Sequence, residues 1–453
     1  MNCVQAAGSA VESDPSEARV RCRFCDAPLE VTVCDLGAQP LANSYLRPEQ
    51  LQRPEPFLAL ETLLCTECWL VQLPTMEQAD TIFAEYAYFS SFSTSWLEHA
   101  KRYVDDMVER FGLGSGSLVV EVASNDGYLL RSVKEHGVPC FGIEPARNIA
   151  RHAESEGIPT INRFLSADVG AAVADGSIDV SRDVFDEAFE SSATELVGRG
   201  ADLVVANNVF AHVPDLNDFT RGLNALLAPA GVLTIEVQHL LTLLDQVQFD
   251  TIYHEHFQYY SLHAAQTVLA GHGLEVFDVE LLPTHGGSLR VFARLADAPA
   301  EAVAGALAPT ERVDEVLAAE RNAGLLDAAT YTDFEARVRG VKRALLRFLF
   351  DAAERGETVV AYGAPAKGNT LLNYCGIEPG LVQFTVDRNP HKQGCFLPGS
   401  RLPIRAPEAI DQAKPDWVLI LPWNLEREIV EQMAHVREWG GRFVVAVPEV
   451  REV

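Results

Sequence analysis

Four cysteines in two tight pairs constrain this chain before anything else does. CRFC runs from Cys22 to Cys25 and CTEC from Cys65 to Cys68. In a chain without signs of export, paired CxxC motifs read as a zinc site and not as disulfides. Four thiolates suit tetrahedral zinc, and a closed all-thiolate shell is structural. The gap between the pairs is longer than in the commonest ribbon pattern, so folding must carry the second pair back to the first. Residues 22–80 are therefore expected to form a zinc-binding module with Cys22, Cys25, Cys65 and Cys68 as ligands. With turns at Gly37, Pro40, Pro54 and Pro56 it has little room for a large core and leans on its metal. Cys3, Cys34, Cys140, Cys375 and Cys395 lack such partners, and core packing is their default role.

Residues 1–21 have no basic flank and no apolar core, so they read as a disordered tail and not as a signal peptide. No stretch approaches the roughly 18–20 apolar residues of a membrane span. A cytoplasmic monomer, with no membrane partner, is expected. The formal net charge of -28 argues against nucleic acid as a partner, because phosphate neutralisation needs a basic surface. It leaves room for a small anionic ligand held by a few local donors.

Beyond the cysteines the pattern changes. SWLEHAKRYVDDMVERFG has helical apolar spacing and stops at Gly112. Strand signals then alternate with helix signals: SLVVEVAS, the helix in SNDGYLLRSVKEHG, VPCFGIEPA, the helix in ARNIARHAESEG, ADLVVANNVFAHV and GVLTIEVQHL. Such alternation predicts a doubly wound α/β sheet over residues 81–300. Residues 168–200 interrupt it with an acidic stretch that reads as a surface insertion, partly helical. Residues 310–355 look helical. TVVAYGA, LVQFTVDRN, DWVLILPWN and RFVVAVPEV then predict a second, Rossmann-like α/β domain, giving 301–453 as a separate unit.

EVASNDGYLL lies at a strand-to-helix turn, where open α/β sheets bind ligands. Glu121, Ser124, Asn125, Asp126 and Gly127 give an acidic strand followed by a tight polar turn. Glu144, after the second strand, can accept hydrogen bonds from ribose hydroxyls. The dinucleotide G-x-G-x-x-G is absent. The acidic arrangement suits the cationic sulfonium of S-adenosylmethionine better than NAD. Taken singly, Asp126 could cap the helix and Glu144 could be an exposed strand end. Asn207 and Asn208 could shape the same site, although Asn at a strand end is also a common turn residue.

TIYHEHFQYYS, residues 251–261, concentrates titratable side chains. It could bind metal, serve as a polar loop, or move a proton. On a helix His254 and His256 would point roughly 200° apart, unlike the one-turn spacing of H-E-x-x-H. No third ligand is obvious, and the surrounding aromatics argue for burial. General acid–base chemistry suits histidine, whose pKa lies near working pH.

EVASNDGYLL, GIEPA, ANNVFAHVPDL, TIYHEHFQYYSL and THGGSLRVF together resemble the nucleotide-sugar C-methyltransferases that act on dTDP-linked deoxysugars in antibiotic pathways. The likeness runs from Cys22 through nearly the whole chain. It implies a zinc module, a class I S-adenosylmethionine-dependent methyltransferase domain and a Rossmann-like C-terminal domain that holds the nucleotide-sugar. It implies His256 as general base, abstracting the proton next to a ketone, with Tyr253 and Glu255 as orienting residues. His212 looks like a further polar contact to the sugar or a donor on the enolate side; a polar helix-start residue is the plainer alternative. His254 is expected to be structural. YAYFSSFSTSW, residues 86–96, resembles the family's covering segment, although Tyr86, Tyr88 and Phe89 could equally be packing residues.

AYGAPAKGNTLLNY is a glycine-rich turn into a helix, where backbone amides could face a diphosphate. The resemblance implies that Gly363, Lys367, Gly368, Asn369, Asp387 and Lys392 contact the dTDP part of a dTDP-linked keto-deoxysugar. An ordinary tight turn and an independent NAD site are the alternatives. GGSLRVF is expected to end the methyltransferase domain near the interdomain cleft. Two features depart from the family: Ala123 replaces a first glycine, and the acidic insertion is long. C3 is the family's commoner target carbon and C5 a variant; a sugar O- or N-methyltransferase is the rival reading.

Overall fold

The computed structural model describes residues 20–74, 94–185, 189 and 194–453. The tail expected over 1–21 lies almost wholly outside the described residues, as do Tyr86, Tyr88 and Phe89. Three sheets organise the rest.

The first sheet begins as a hairpin. β1 (Val31–Pro40) pairs antiparallel with β2 (Phe57–Leu64), and β2 with β3 (Val71–Gln72). The four sulfurs of Cys22, Cys25, Cys65 and Cys68 all lie within 4.8 Å of one another. Cys22 and Cys68 are 3.6 Å apart, and Cys25 and Cys65 3.5 Å. Tetrahedral zinc at about 2.3 Å from each sulfur needs edges of about 3.8 Å, so the cluster fits that ion. The hairpin finds its core elsewhere. Val33, Leu36 and Leu60 pack in one cluster with Phe334, Val338 and Leu345 of the helix Phe334–Glu354. A module too small to bury its own apolar face buries it against the C-terminal half.

In the central sheet, β4 (Val119–Val122), β5 (Cys140–Ile143), β6 (Thr160–Ile161), β7 (Ala201–Val205) and β8 (Leu227–Gln238) are parallel. β9 (Gln258–Tyr259) leaves this sheet and pairs antiparallel with β3, Tyr259 opposite Val71 and Gln258 opposite Gln72. β10 (Leu274–Leu282) and β11 (Ser288–Leu295) return as an antiparallel pair whose second strand lies beside β8. The order is β10-β11-β8-β7-β4-β5-β6. GGSLRVF supplies most of β11, the last strand of this sheet in chain order, which lies between β10 and β8.

The acidic stretch 168–200 also turns out to be more than an insertion. The helix Ala167–Asp175, capped by Ser166, provides the crossover between β6 and β7 that parallel strands require. It lies so close to the helix Leu216–Leu226 that a Cβ on Gly170 would stand 2.5 Å from the Gly222 carbonyl oxygen. Residues 186–188 and 190–193 of that stretch lie outside the described residues.

The helices Glu311–Asn322, Ala328–Thr332 and Phe334–Glu354 fill the region expected to be helical. The C-terminal sheet follows: β12 (Val359–Tyr362), β13 (Thr385–Val386), β14 (Ile404–Arg405), β15 (Trp417–Ile420), β16 (Arg442–Val445) and β17 (Arg451–Glu452). Its order is β14-β13-β12-β15-β16-β17, parallel except for β17. The strand order reverses between β4 and β7 in the central sheet and between β12 and β15 here. Ligand crevices open at such points. Among the described residues no helix is long and apolar enough to cross a membrane.

The β3–β9 ladder ties the zinc module to the HEH loop. Stripping the metal with a chelator is expected to speed amide exchange at residues 251–260 by roughly tenfold or more. Amides of β4 and β7 should stay protected, as exchange followed by mass spectrometry would read.

Candidate active site

One cavity of about 1780 Å³ meets all three parts of the molecule. Asn43 and Tyr45 reach it from the zinc module. Asn125, Glu144, Asn207, His212, Tyr253, Glu255, His256 and His285 reach it from the central domain, and Gly363, Lys367, Asp387 and Lys392 from the C-terminal domain.

The turn after β4 is built for a tight approach. Ala123 and Asn125 both adopt positive φ, 54° and 49°. Ala123 takes the left-handed conformation without being glycine. The Ala123 and Ser124 amides donate to the Ile143 carbonyl, and Glu144 accepts from the Asn125 and Ala146 amides at 3.0 and 2.8 Å. Each carboxylate oxygen retains a lone pair for a hydroxyl donor. Burial raises the Glu144 carboxyl to about 7. The Asn207 Oδ1 and Asn208 Nδ2 atoms are buried with no hydrogen-bond partner among the described residues. These acceptors and donors fit the ribose and amino-acid groups of S-adenosylmethionine. Glu121, Ser124, Asp126 and Gly127 do not line the cavity. Glu121 is enclosed in β4, where burial holds its carboxyl well above the carboxylate range. Ser124 packs on Gly142, Gly127 opens the helix Tyr128–Glu135 beside Ile158, and Asp126 is fully buried. They shape the turn from beneath.

The HEH segment is an irregular loop between the short helical turn Phe249–Thr251 and β9. His256 Nδ1 lies 2.9 Å from the Thr251 carbonyl, to which it donates, so Nε2 carries the lone pair. Tyr253 OH donates to that Nε2 at 2.7 Å. His212 Nδ1 donates to the Glu255 carbonyl at 2.7 Å, and its ring centre is 4.7 Å from that of His256. Burial holds His256 well below the usual imidazole range, with His212 adding to the effect. Burial also lowers His212 to about 4. Both rings are therefore neutral near neutral pH. His254 is buried, with Nε2 3.2 Å from the Ala59 carbonyl of the zinc module, and stays out of the cavity.

Glu255 shows what the sequence could not. Asn43 Nδ2 donates to both of its oxygens at 2.8 Å, across 212 residues of chain. Burial still raises this carboxyl to about 7. His285 is a second residue missed. It sits in the THGG turn at φ 54° and faces the cavity, its ring 5.0 Å from Trp96. Gly286 has φ 92°, and a Cβ there would stand 2.4 Å from the Trp423 ring. The glycines of THGG were a signal of close packing; the histidine beside them gave no periodic one.

On the C-terminal side, Asp387 accepts from the Ala364 and Asn389 amides, each at 2.8 Å. Lys392 Nζ donates to the Ala364 carbonyl at 2.9 Å and lies 5.0 Å from the Tyr45 ring centre. Gly368 and Asn369 are corrections to the expected contacts, since neither lines the cavity. Gly368 packs against Leu421, and Asn369, 1% exposed, is bonded to Asn373. Both point into the core because a helix starting at Ala366 turns that face toward β15.

Three family models match successive parts of the chain. Residues 22–83 match a family described as "putative zinc binding domain", residues 96–279 a "methyltransferase domain", and residues 283–448 a "C-methyltransferase C-terminal domain". The chain is 38% identical over 433 residues to C-methyltransferase NovU of Streptomyces niveus, covering 95% of this chain and 96% of that protein. Among solved structures, the magnesium protoporphyrin IX methyltransferase ChlM of Synechocystis PCC 6803, with bound SAH, covers 48% of this chain and 92% of its own, at 12% identity and TM-score 0.32. Mitomycin 7-O-methyltransferase MmcR covers 46% of this chain and 56% of its own, at 17% identity and TM-score 0.31.

Asn43→Ala would leave a buried carboxylate without its donor, at about 1–3 kcal/mol. The loss should be larger at pH 8 than at pH 5. Glu255 titrates near 7 when folded, above its usual 4.5, so protonation at pH 5 removes the need for a donor and ionisation at pH 8 restores it. Urea unfolding at the two pH values reads this directly.

Proposed function

Because the chain belongs to the C-methyltransferase family of NovU and is an S-adenosylmethionine-dependent enzyme, we propose that it methylates the carbon next to a ketone of a dTDP-linked deoxysugar, at C3, through an enolate. His256 is the base in this reading. What supports it most is the tautomer: the Thr251 carbonyl occupies Nδ1–H, so the lone pair is on Nε2, where Tyr253 OH holds it in a ring that lines the cavity. A sugar carbon is no nucleophile until its proton is gone, so the reaction needs a positioned base that is neutral before it acts. Burial supplies the neutrality here.

The α C–H bond breaks, the proton passes to His256 Nε2, and the bonding pair becomes the enolate double bond as the carbonyl pair moves to oxygen. Tyr253, already on Nε2, orients the ring and yields its place to the substrate. His212 lines the cavity and accepts from a sugar hydroxyl through Nε2; its one N–H is committed to the Glu255 carbonyl. Glu255 ties the loop to Asn43. When bound at Asn125, Glu144 and Asn207, S-adenosylmethionine supplies the methyl carbon to which the enolate carbon bonds, the carbon–sulfur pair leaving with sulfur. Gly363, Asp387 and Lys392 hold the nucleotide end, with the helix starting at Ala366 facing the diphosphate. In this reading the enzyme serves deoxysugar and antibiotic biosynthesis and works in the cytoplasm as a monomer.

His256→Asn should lower kcat by about 10²–10⁴ and leave methyl-donor affinity unchanged, as stopped assays and calorimetry would read. It should also abolish solvent deuterium exchange at the carbon beside the ketone. Normal turnover, or a product methylated on oxygen or nitrogen, would overturn the reading. The acid limb of kcat should fall below pH 6.5, because the base must be unprotonated and its folded pKa lies beneath that ordinary value.

A further inference from the structure

Lys367 stands in the wrong company for a phosphate contact. It faces the cavity from the first turn of the helix Ala366–Cys375. Its Nζ donates to Asn424 Oδ1 at 2.9 Å and lies 4.4 Å from the centre of the Trp423 ring. That indole is fixed twice. Its Nε1–H donates to Asp250 Oδ2 at 2.7 Å, and its ring edge fills the space that any side chain on Gly286 would need. Thr370, one turn along the same helix, donates to the Ile252 carbonyl at 3.2 Å. This bond docks the helix against the start of the HEH loop.

The ammonium has three N–H donors. Asn424 takes one and the indole face engages the charge, which leaves donor capacity toward the cavity. The charged and titratable groups whose fields couple to it are Asp250 behind the indole, and His256 and His285 in front. Its positive charge helps keep both histidines neutral. Lys392, by contrast, stands beside Asp387, Tyr45 and the Ala364 carbonyl, at the turn after β12.

We propose that Lys367 is a catalytic residue that donates a hydrogen bond to the ketone oxygen as negative charge develops there, in place of contacting the diphosphate. The proposal rests on the enolate reading above. The pair released by the broken C–H bond ends on that oxygen, and a preorganised cation stabilises it without the reorganisation that water would need. His212 cannot serve, since its N–H is spent, and Tyr253 OH faces the base. The lysine must be protonated to act. Burial pulls it down to about 8 while Asp250 opposes the shift. Protonated below that value and neutral above it, the donor is lost as pH rises through about 8.

The test uses the full-length enzyme with a dTDP-ketosugar and no methyl donor, following deuterium entry at the carbon beside the ketone. Lys367→Met should slow exchange by about 10²–10³-fold. The dissociation constant for dTDP alone should change by less than about threefold, which also reports a folded site. Lys367→Arg should retain more exchange than Lys367→Met and move the alkaline limb of the rate above the wild-type value near pH 8. Wild-type exchange in Lys367→Met overturns the proposal and leaves the base assignment standing. Tenfold weaker dTDP binding with normal exchange at saturation overturns it in favour of a diphosphate contact. No exchange by the wild type on any ketosugar removes the enolate reading and this proposal with it.

Discussion

Two residue pairs join the zinc module to the active-site loop, and the rest of the site depends on them. Val71 faces Tyr259 and Gln72 faces Gln258. Around this short ladder the bonds multiply. The Leu73 amide donates to the Phe257 carbonyl, and the Phe257 amide to the Ala211 carbonyl. Gln72 Nε2 donates to Cys22 Sγ, Gln258 Nε2 to the Val213 carbonyl, and Arg23 to the Pro214 carbonyl. His212 and His256 thus stand on either side of a backbone that the cysteine cluster holds in place. An irregular loop of this kind has no helix or sheet of its own to fix it. It borrows rigidity from a metal-dependent module, which is why a structural metal bears on chemistry it never touches.

Burial does opposite things to neighbouring groups, and the site uses both. The same removal from water that lowers His212 and His256 raises Glu144 and Glu255. Near neutral pH the site therefore carries less charge than its residue list suggests. As many Lys and Arg as Asp and Glu side chains line the cavity, although the chain holds 36 of the former and 64 of the latter. The acidic excess lies elsewhere. A strongly negative protein can thereby present a locally balanced pocket to an anionic ligand, which reconciles net charge with the proposed substrate.

Much of this was legible. The two CxxC pairs gave the metal cluster, and β-branched runs gave β4, β5, β7 and β8 because parallel strands buried on both faces read as continuous apolar stretches. The C-terminal strands β12, β15 and β16 were legible for the same reason. β9, β13 and β14 are two residues long, too short to carry a period. β11 was masked by its own THGG turn, which looks like a boundary. Asn43 and Trp423 were invisible as site residues because only tertiary structure sets them beside Glu255 and Lys367. Gly368 and Asn369 were misplaced because a turn motif shows which residues are near a helix start but not which way the helix is rotated.

That rotation carries the last step. A helix start offers a ligand its amides and whichever side chains its first turn projects forward. Here the turn projects Lys367 and buries its neighbours Gly368 and Asn369. The same rotation sets Thr370 against the Ile252 carbonyl, so the helix cannot turn without pulling on the HEH loop. The C-terminal domain therefore contributes more than a wall of the cavity. Its first crossover helix bonds the Ile252 carbonyl through Thr370, next to the Thr251 carbonyl that holds the His256 imidazole. A site assembled this way needs all three parts of the chain in register at once, and this explains why zinc module, methyltransferase sheet and C-terminal sheet share a single cavity.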